Sequence, residues 1–206
     1  MRVLIVDDHR IVASGCRALF ADDPEIDVVE ASDAESGERV FDERHPDICV
    51  LDINLPTVSG FELARRLLGR DASARIIMFS MNDDPVFAAR AIEVGAKGFV
   101  SKTGDPQELV EAIREVAKGG VYLPPAIAQS IAFGGPSFAR SPLTKLTARE
   151  MEILRLLSAG KCLSEIAWLI HSSYKTVANT SSIMRHKLGV RTSAELVRLA
   201  IENGVA

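Results

Sequence analysis

Five side chains that could do chemistry follow short apolar runs in the first half of the chain. Asp7 and Asp8 follow the first run, and Asp52 ends the third. Ser80 ends the fourth run, and Lys102 comes just after the fifth. Clustered carboxylates repel one another unless a cation lies among them, and oxygen ligands in a loose cluster suit Mg²⁺. A carboxylate can also attack phosphorus and form an aspartyl phosphate, whose charge a metal ion, a lysine and a hydroxyl would neutralise.

The elements that must bring these side chains together are predicted by alternating apolar and amphipathic segments. We predict strands over Val3–Val6, Asp27–Ala31, Ile48–Asp52, Ile76–Ser80 and Gly98–Ser101. We predict helices over Ile11–Phe20, Ala34–Glu43, Gly60–Gly69, Pro85–Val94 and Pro106–Lys118. Alternation of this kind is typical of a doubly wound α/β domain with a five-stranded parallel sheet. Such sheets bind ligands beyond the carboxyl ends of their strands, so the five side chains should meet at one edge. A single such residue is usually solvated surface, whereas the match of four strand ends favours a site.

The last sixty residues predict helices only. Thr147 and Glu150 have the spacing of a capping box, and Gly160 ends the helix that this box begins. A short helix is expected over Ser164–Ile170. A turn then leads to Ser173, the predicted cap of a helix over Tyr174–Leu188, and a fourth helix covers Thr192–Glu202. Two helices joined by a three-residue turn have the spacing of a DNA-binding helix-turn-helix.

Charge divides the 206 residues into two parts with different expected partners. Residues 1–118 carry 14 Lys and Arg against 23 Asp and Glu, a net −9, whereas residues 144–206 carry 9 against 5, a net +4. Only the basic part is suited to a polyanion such as DNA. We predict one domain over residues 1–120, a linker with a possible short helix over 121–143, and a second domain over 144–206.

Composition argues against a membrane protein and against a disulfide or zinc scaffold. The apolar runs are far shorter than a membrane span, and the N-terminus lacks the features of a signal peptide, so a cytoplasmic location is expected. Cys16, Cys49 and Cys162 are widely separated and form no CxxC pair, so we interpret them as buried thiols.

Residues 1–120 resemble the receiver domain of two-component response regulators, a flavodoxin/CheY-like fold with strand order 2-1-3-4-5. The resemblance rests on VLIVDDH at 3–9, DICVLDINLPTVSGFEL at 47–63, IIMFSMNDD at 76–84 and GAKGFVSK at 95–102. It implies that Asp52 is phosphorylated by a sensor histidine kinase. It also implies that Asp7, Asp8, Asp52 and the backbone carbonyl of Asn54 hold Mg²⁺, and that Ser80, Phe99 and Lys102 stabilise and report the phosphoryl group.

Residues 144–206 resemble the LuxR-type helix-turn-helix domain, so the whole chain resembles a NarL/FixJ-type regulator. The matching stretches are LTAREMEILRLLSAG at 146–160, SEIAWLI at 164–170 and KTVANTSSIMRHKLGV at 175–190. The helix over Tyr174–Leu188 is then expected to enter the major groove, with Val177, Ile183 and Leu188 facing the core. The expected DNA contacts are Lys175, Thr176, Asn179, Ser182, Arg185, Lys187 and Arg191, and the last helix is expected to support a homodimer.

Some features depart from that family pattern and keep alternatives open. Ala178 and Thr180 stand where the family often has a basic residue and His or Tyr, which makes the groove-facing surface less basic. Trp168 is interpreted either as a core residue or as a surface residue that docks on the receiver or a partner. The main hypothesis is a transcription factor without enzymatic turnover. Its rivals are a DNA binder that ignores phosphorylation, a module that sequesters a partner, and a Mg²⁺-dependent phosphohydrolase.

Overall fold

The computed structural model describes the whole chain except residues 22, 82, 84, 135–141, 171 and 203–206. The chain forms two compact units, Met1–Phe138 and Ala139–Ala206. Among the described helices, none combines the length and the apolar character needed to cross a membrane.

The first unit is a five-stranded parallel sheet in the order β2-β1-β3-β4-β5, which confirms the predicted fold. Its strands are β1 (Arg2–Val6), β2 (Asp27–Ala31), β3 (Ile48–Asp52), β4 (Ile76–Ser80) and β5 (Gly98–Ser101). The helices that alternate with them are α1 (Arg10–Leu19), α2 (Ala34–Arg44), α3 (Gly60–Arg70), α4 (Pro85–Val94) and α5 (Pro106–Ala117). All residues of β3 and β4 are buried, because helices cover both faces of a parallel sheet.

In the part of the first unit that the structure describes, side-chain caps begin α2, α3 and α5. Asp33 accepts a hydrogen bond from the backbone N–H of Ser36, and Ser59 accepts one from the N–H of Glu62. Asp105 accepts one from the N–H of Gln107, with Pro106 in the first turn of α5. Each cap satisfies an N–H that the helix itself leaves unpaired. The caps therefore fix where the chain leaves the site edge of the sheet.

The segment after α5 packs on the first unit. The backbone N–H of Tyr122 donates to the carbonyl oxygen of Lys97 at 2.9 Å, and that of Phe99 donates to the carbonyl oxygen of Tyr122 at 3.0 Å. Helix α6 (Pro125–Gly134) contacts α4 and buries Ile127. The short helix expected within residues 121–143 is therefore present, and the early part of that segment is integrated into the first unit. Residues 135–141 of the segment lie outside the described residues.

The second unit is helical. A 3₁₀ turn (Pro142–Lys145) precedes α7 (Ala148–Ser158), α8 (Leu163–Leu169), α9 (Tyr174–Leu188) and α10 (Ser193–Glu202). Thr147 and Glu150 form the predicted capping box of α7, and Ser173 caps α9 by accepting from the N–H of Thr176 at 3.0 Å. The sequence placed α9 correctly because its cap and its terminal Gly189, at φ 71°, are both unambiguous signals.

Two expectations about burial in the second unit are wrong, and the structure decides one alternative that the sequence left open. Ile183 is exposed, and α9 instead buries Val177, Ser181 and Met184, whose spacings of four and three residues keep them on one helical face. The side chain of Trp168 is 76% exposed, which excludes the core interpretation. Cys162 is exposed at the start of α8, whereas Cys16 and Cys49 are buried as expected.

Candidate functional site

The carboxyl ends of β1, β3 and β5 bring one lysine between two buried aspartates. The Nζ of Lys102 lies 2.6 Å from Oδ2 of Asp7 and 3.0 Å from Oδ2 of Asp52. All three side chains are almost completely excluded from solvent. Two desolvated carboxylates that share one ammonium group are held in fixed positions, because leaving any of the three charges unpaired would be costly.

The backbone around Asp52 is shaped by a close contact with the first residue of α3. The N–H of Gly60 donates to the carbonyl oxygen of Ile53 at 3.0 Å. A Cβ atom at Gly60 would lie 2.0 Å from the carbonyl oxygen of Asp52, so only glycine fits there. The N–H of Asn54 donates to Oδ1 of Asp52 at 3.1 Å and orients the carboxylate. The glycine eight residues after Asp52 is therefore a packing requirement of the site.

Burial raises the pKa of Asp52 above its ordinary value. Lys102 and the N–H of Asn54 oppose this shift, and the like charge of Asp7 adds to it. A carboxylate with a raised pKa is a stronger base than a solvated one, and its desolvated oxygen is less shielded by water. These are properties expected of a nucleophile that attacks phosphorus.

The site offers several ligand atoms for a divalent cation. One ligand atom each from Asp7, Asp8, His9 and Asp52 lies within 4.8 Å of the others. Asp8 and His9 are the exposed members of this group, whereas Asp7 and Asp52 are buried. The oxygen donors fit Mg²⁺, which retains waters and needs few protein ligands. Sequence reasoning missed His9, whose Nδ1 lies 3.0 Å from Oδ1 of Asp8, because neither its type nor its spacing distinguished it from a loop residue.

Ser80 and Phe99 connect this edge to the face formed by α4 and β5. Both side chains are fully buried. The carbonyl oxygen of Ser80 accepts from the N–H of Lys102 at 2.7 Å, and the N–H of Phe99 donates to Tyr122. The backbone of Ser80 is thus hydrogen-bonded directly to that of Lys102. The backbone of Phe99 is hydrogen-bonded to the segment that leads to α6.

Helix α9 presents most of its predicted DNA contacts to solvent. Lys175, Thr176, Asn179 and Ser182 are exposed on one side of the helix. Two other predicted contacts have partners within the unit. Nζ of Lys187 lies 2.8 Å from both carboxylate oxygens of the buried Glu150, and Arg185 donates to the carbonyl oxygen of Arg191 at 3.2 Å.

Comparison with known families assigns both units. Residues 3–114 match the response regulator receiver domain, and residues 144–200 match the LuxR family of bacterial regulatory proteins. The first match covers Asp7, Asp8, Asp52, Ser80 and Lys102, and the second covers all of α9.

Relatives and solved structures extend this similarity over nearly the whole chain. The methanol utilization control regulatory protein MoxX of Paracoccus denitrificans is 35% identical over 96% of this chain and 89% of its own length. The transcriptional regulatory protein UhpA of Escherichia coli is 37% identical over 95% of each. RcsB of Salmonella enterica serovar Typhimurium, solved bound to a promoter with the phosphomimetic BeF₃⁻, is 26% identical over 97% of each chain with a TM-score of 0.61. With a receiver site and a helix-turn-helix in one chain, this protein belongs to the NarL/FixJ family of two-component response regulators, which control transcription.

Proposed function

We propose that Asp52 accepts a phosphoryl group from a sensor histidine kinase and that this modification controls sequence-specific DNA binding by α9. The observation that carries the proposal is the buried arrangement of Asp7, Lys102 and Asp52. It holds a nucleophilic carboxylate beside a fixed positive charge, which phosphoryl transfer to a carboxylate requires.

Mg²⁺ would be held by Asp7, Asp8, Asp52 and the backbone carbonyl of Asn54, and would neutralise charge on the incoming phosphoryl group. Lys102 already contacts Asp7 and Asp52, so the ion would add a second positive charge near these two carboxylates. Asp8 is more exposed than Asp7 and Asp52 and would ligate the ion from the surface. The protein's own contribution is to orient the carboxylate of Asp52 through Asn54 and to place Lys102 where the new negative charge forms.

The signal would leave the site through Ser80 and Phe99. Ser80 would turn to bond a phosphoryl oxygen, and Phe99 would report that change by packing alone, because it has no hydroxyl group. The contact from Phe99 to Tyr122, and the packing of α6 on α4, support a route toward the end of the first unit. We propose that the receiver covers residues 1–120 with α6 as an added element, and that residues 144–206 bind DNA.

For DNA binding we propose Lys175, Thr176, Asn179 and Ser182 as groove contacts and Lys187, Arg185 and Arg191 as phosphate contacts. The ion pair with Glu150 makes Lys187 the weakest member of this set, since its ammonium group would have to serve two partners. The RcsB relative, solved as two dimers bound to two parallel DNAs, supports a homodimer as the DNA-binding form.

Genome-wide footprinting with and without a phosphoryl donor tests the proposal. Wild-type protein should protect specific sites only after treatment with the donor, and Asp52→Ala should protect none under the same conditions. Asp71→Ala, which removes an exposed carboxylate away from the strand ends, should behave as wild type. Equal protection with and without the donor would favour the phosphorylation-independent rival. Absence of any salt-sensitive DNA binding would favour the partner-sequestering rival.

A further inference from the structure

The exposed side of α9 contains an isoleucine that is not part of the buried core of its unit. Ile183 is 42% exposed in the middle of a 15-residue helix whose buried side is formed by Val177, Ser181 and Met184. A β-branched residue is a mediocre helix former, and the part of an apolar side chain that stays in water contributes nothing to folding. The exposed apolar surface of Ile183 is therefore available to an external partner.

The neighbours of Ile183 show which partner fits. Asn179 lies four residues earlier on α9 and is exposed, so the two side chains are adjacent on one helical face. Lys175, Ser182 and His186 are exposed on the same side. This is the side opposite the buried residues of α9, and it is the side that a recognition helix turns toward the major groove.

The pair formed by Asn179 and Ile183 matches the chemistry of an A·T base pair. Asparagine can hydrogen-bond N6 and N7 of adenine, and the C5-methyl group of thymine is the apolar feature of the major groove. Isoleucine cannot hydrogen-bond any base edge, so contact with a methyl group is the favourable interaction open to it there. The basic groups on this face are few, which gives base contacts a larger share of the discrimination.

We propose that Ile183 is a specificity-determining residue that packs on a thymine methyl group, next to an adenine bound by Asn179. This inference rests on the proposed DNA-binding function and specifies it. The half-site should contain at least one obligatory A·T pair whose thymine methyl group is required.

Selection from random DNA followed by removal of single methyl groups tests the inference. Full-length protein treated with a phosphoryl donor is used to select sites from a random pool, and each thymine of the selected site is then replaced by deoxyuridine, which lacks the methyl group. Wild-type protein should lose about fourfold in affinity at one thymine per half-site, the loss expected for one buried methyl-sized group. Ile183→Ser should bind the thymine and uracil sites equally.

Two further variants separate this contact from general effects. Ile183→Val keeps a branched apolar side chain and should retain the uracil penalty. Ile201→Ser removes an exposed isoleucine from α10 and should also retain it. Equal binding of thymine and uracil by wild type at every position, or an unchanged penalty in Ile183→Ser, would overturn the inference. Failure to select any site would instead count against the proposed DNA-binding function.

Discussion

Asp52 combines a buried carboxylate with a nearby like charge, and this has a cost that can be measured. Its pKa in the folded protein is raised chiefly by burial, with Lys102 in opposition. A folded-state pKa above the unfolded value means that ionisation of Asp52 lowers the free energy of unfolding. The cost is absent below the unfolded pKa of about 4 and fully present once the pH exceeds the raised folded pKa.

We therefore expect Asp52→Asn to be more stable than wild type near neutral pH without Mg²⁺, and to lose that advantage as the pH falls through the raised pKa toward about 4. Calorimetry of the receiver transition at several pH values checks this. Asp33→Asn is the control with opposite sign, because the N–H of Ser36 lowers the pKa of Asp33 and its contribution disappears as the pH falls. If Mg²⁺ binds the folded site as proposed, its addition should stabilise wild type more than Asp52→Asn. Equal stability of Asp52→Asn and wild type at every pH would contradict the prediction.

The three cysteines differ in environment and should differ in reactivity. Burial raises the pKa of Cys16 to about 11 and that of Cys49 to about 12, so neither forms much thiolate at neutral pH. Cys162 is exposed. One thiol should therefore react rapidly with a maleimide in the native protein, and Cys162→Ser should abolish that fast phase. Mass spectrometry of the modified peptide identifies the residue, and rapid labelling of Cys16 or Cys49 would contradict the structure.

The sequence predicts which side chains meet beside Asp52 at the edge of the sheet, whereas it does not predict which side chains of α9 are buried. Strand ends and the family pattern place Asp7, Asp8, Asp52, Ser80 and Lys102 from the sequence alone. On α9, by contrast, Ile183 and Met184 are adjacent apolar residues, and sequence alone favours the branched one as the core residue. Met184 is the buried one because it lies on the same helical face as Val177 and Ser181. Ser181 is polar, so a hydrophobic pattern does not indicate that it is buried.

At the scale of the elements, the start of α3 shapes the backbone around Asp52. The backbone of Gly60 lies against the carbonyl group of Asp52, and its N–H donates to the carbonyl oxygen of Ile53 at 3.0 Å, so the helix packs directly on the strand end. Strand and helix bounds followed from periodicity and caps to within a residue or two. The packing of α6 on α4 was not predicted, because the periodicity of one helix does not tell which other helix it contacts.

Two glycine-to-alanine variants in α3 separate packing from helix propensity. A Cβ at Gly60 would meet backbone atoms of Asp52, which cannot rotate away, so Gly60→Ala should cost roughly 1–3 kcal/mol or more and weaken Mg²⁺ binding. At Gly69 a Cβ atom would meet nothing within 4 Å, and the residue is exposed, so Gly69→Ala should raise stability by up to about 1 kcal/mol. Calorimetry and Mg²⁺ titration provide both readouts. A Gly60→Ala variant with the stability and Mg²⁺ affinity of wild type would contradict the close contact between Gly60 and Asp52.

At the scale of the whole molecule, the negative charge that phosphorylation would add is of the sign that DNA repels. Residues 1–118 carry a net −9 and residues 144–206 a net +4, and the proposed phosphorylation would add further negative charge to the acidic part. DNA repels such charge, so the electrostatic effect of phosphorylation alone would weaken binding. If phosphorylation increases DNA affinity, the increase must therefore come from a change in assembly or in the exposure of α9.

Forced dimerisation without phosphorylation distinguishes these two sources. We expect Asp52→Ala, fused through a flexible linker to a parallel dimeric coiled coil, to bind a selected two-half-site DNA about 100-fold more tightly than the unfused variant, because joining two binding units makes the second contact intramolecular. Fluorescence anisotropy at fixed salt measures both affinities. The same fusion carrying Lys175→Ala and Asn179→Ala should lose the gain, because the linked units then lack their groove contacts. A fused protein no tighter than the unfused one would place the control in exposure of α9 within each chain, and would make the receiver a cover that phosphorylation removes.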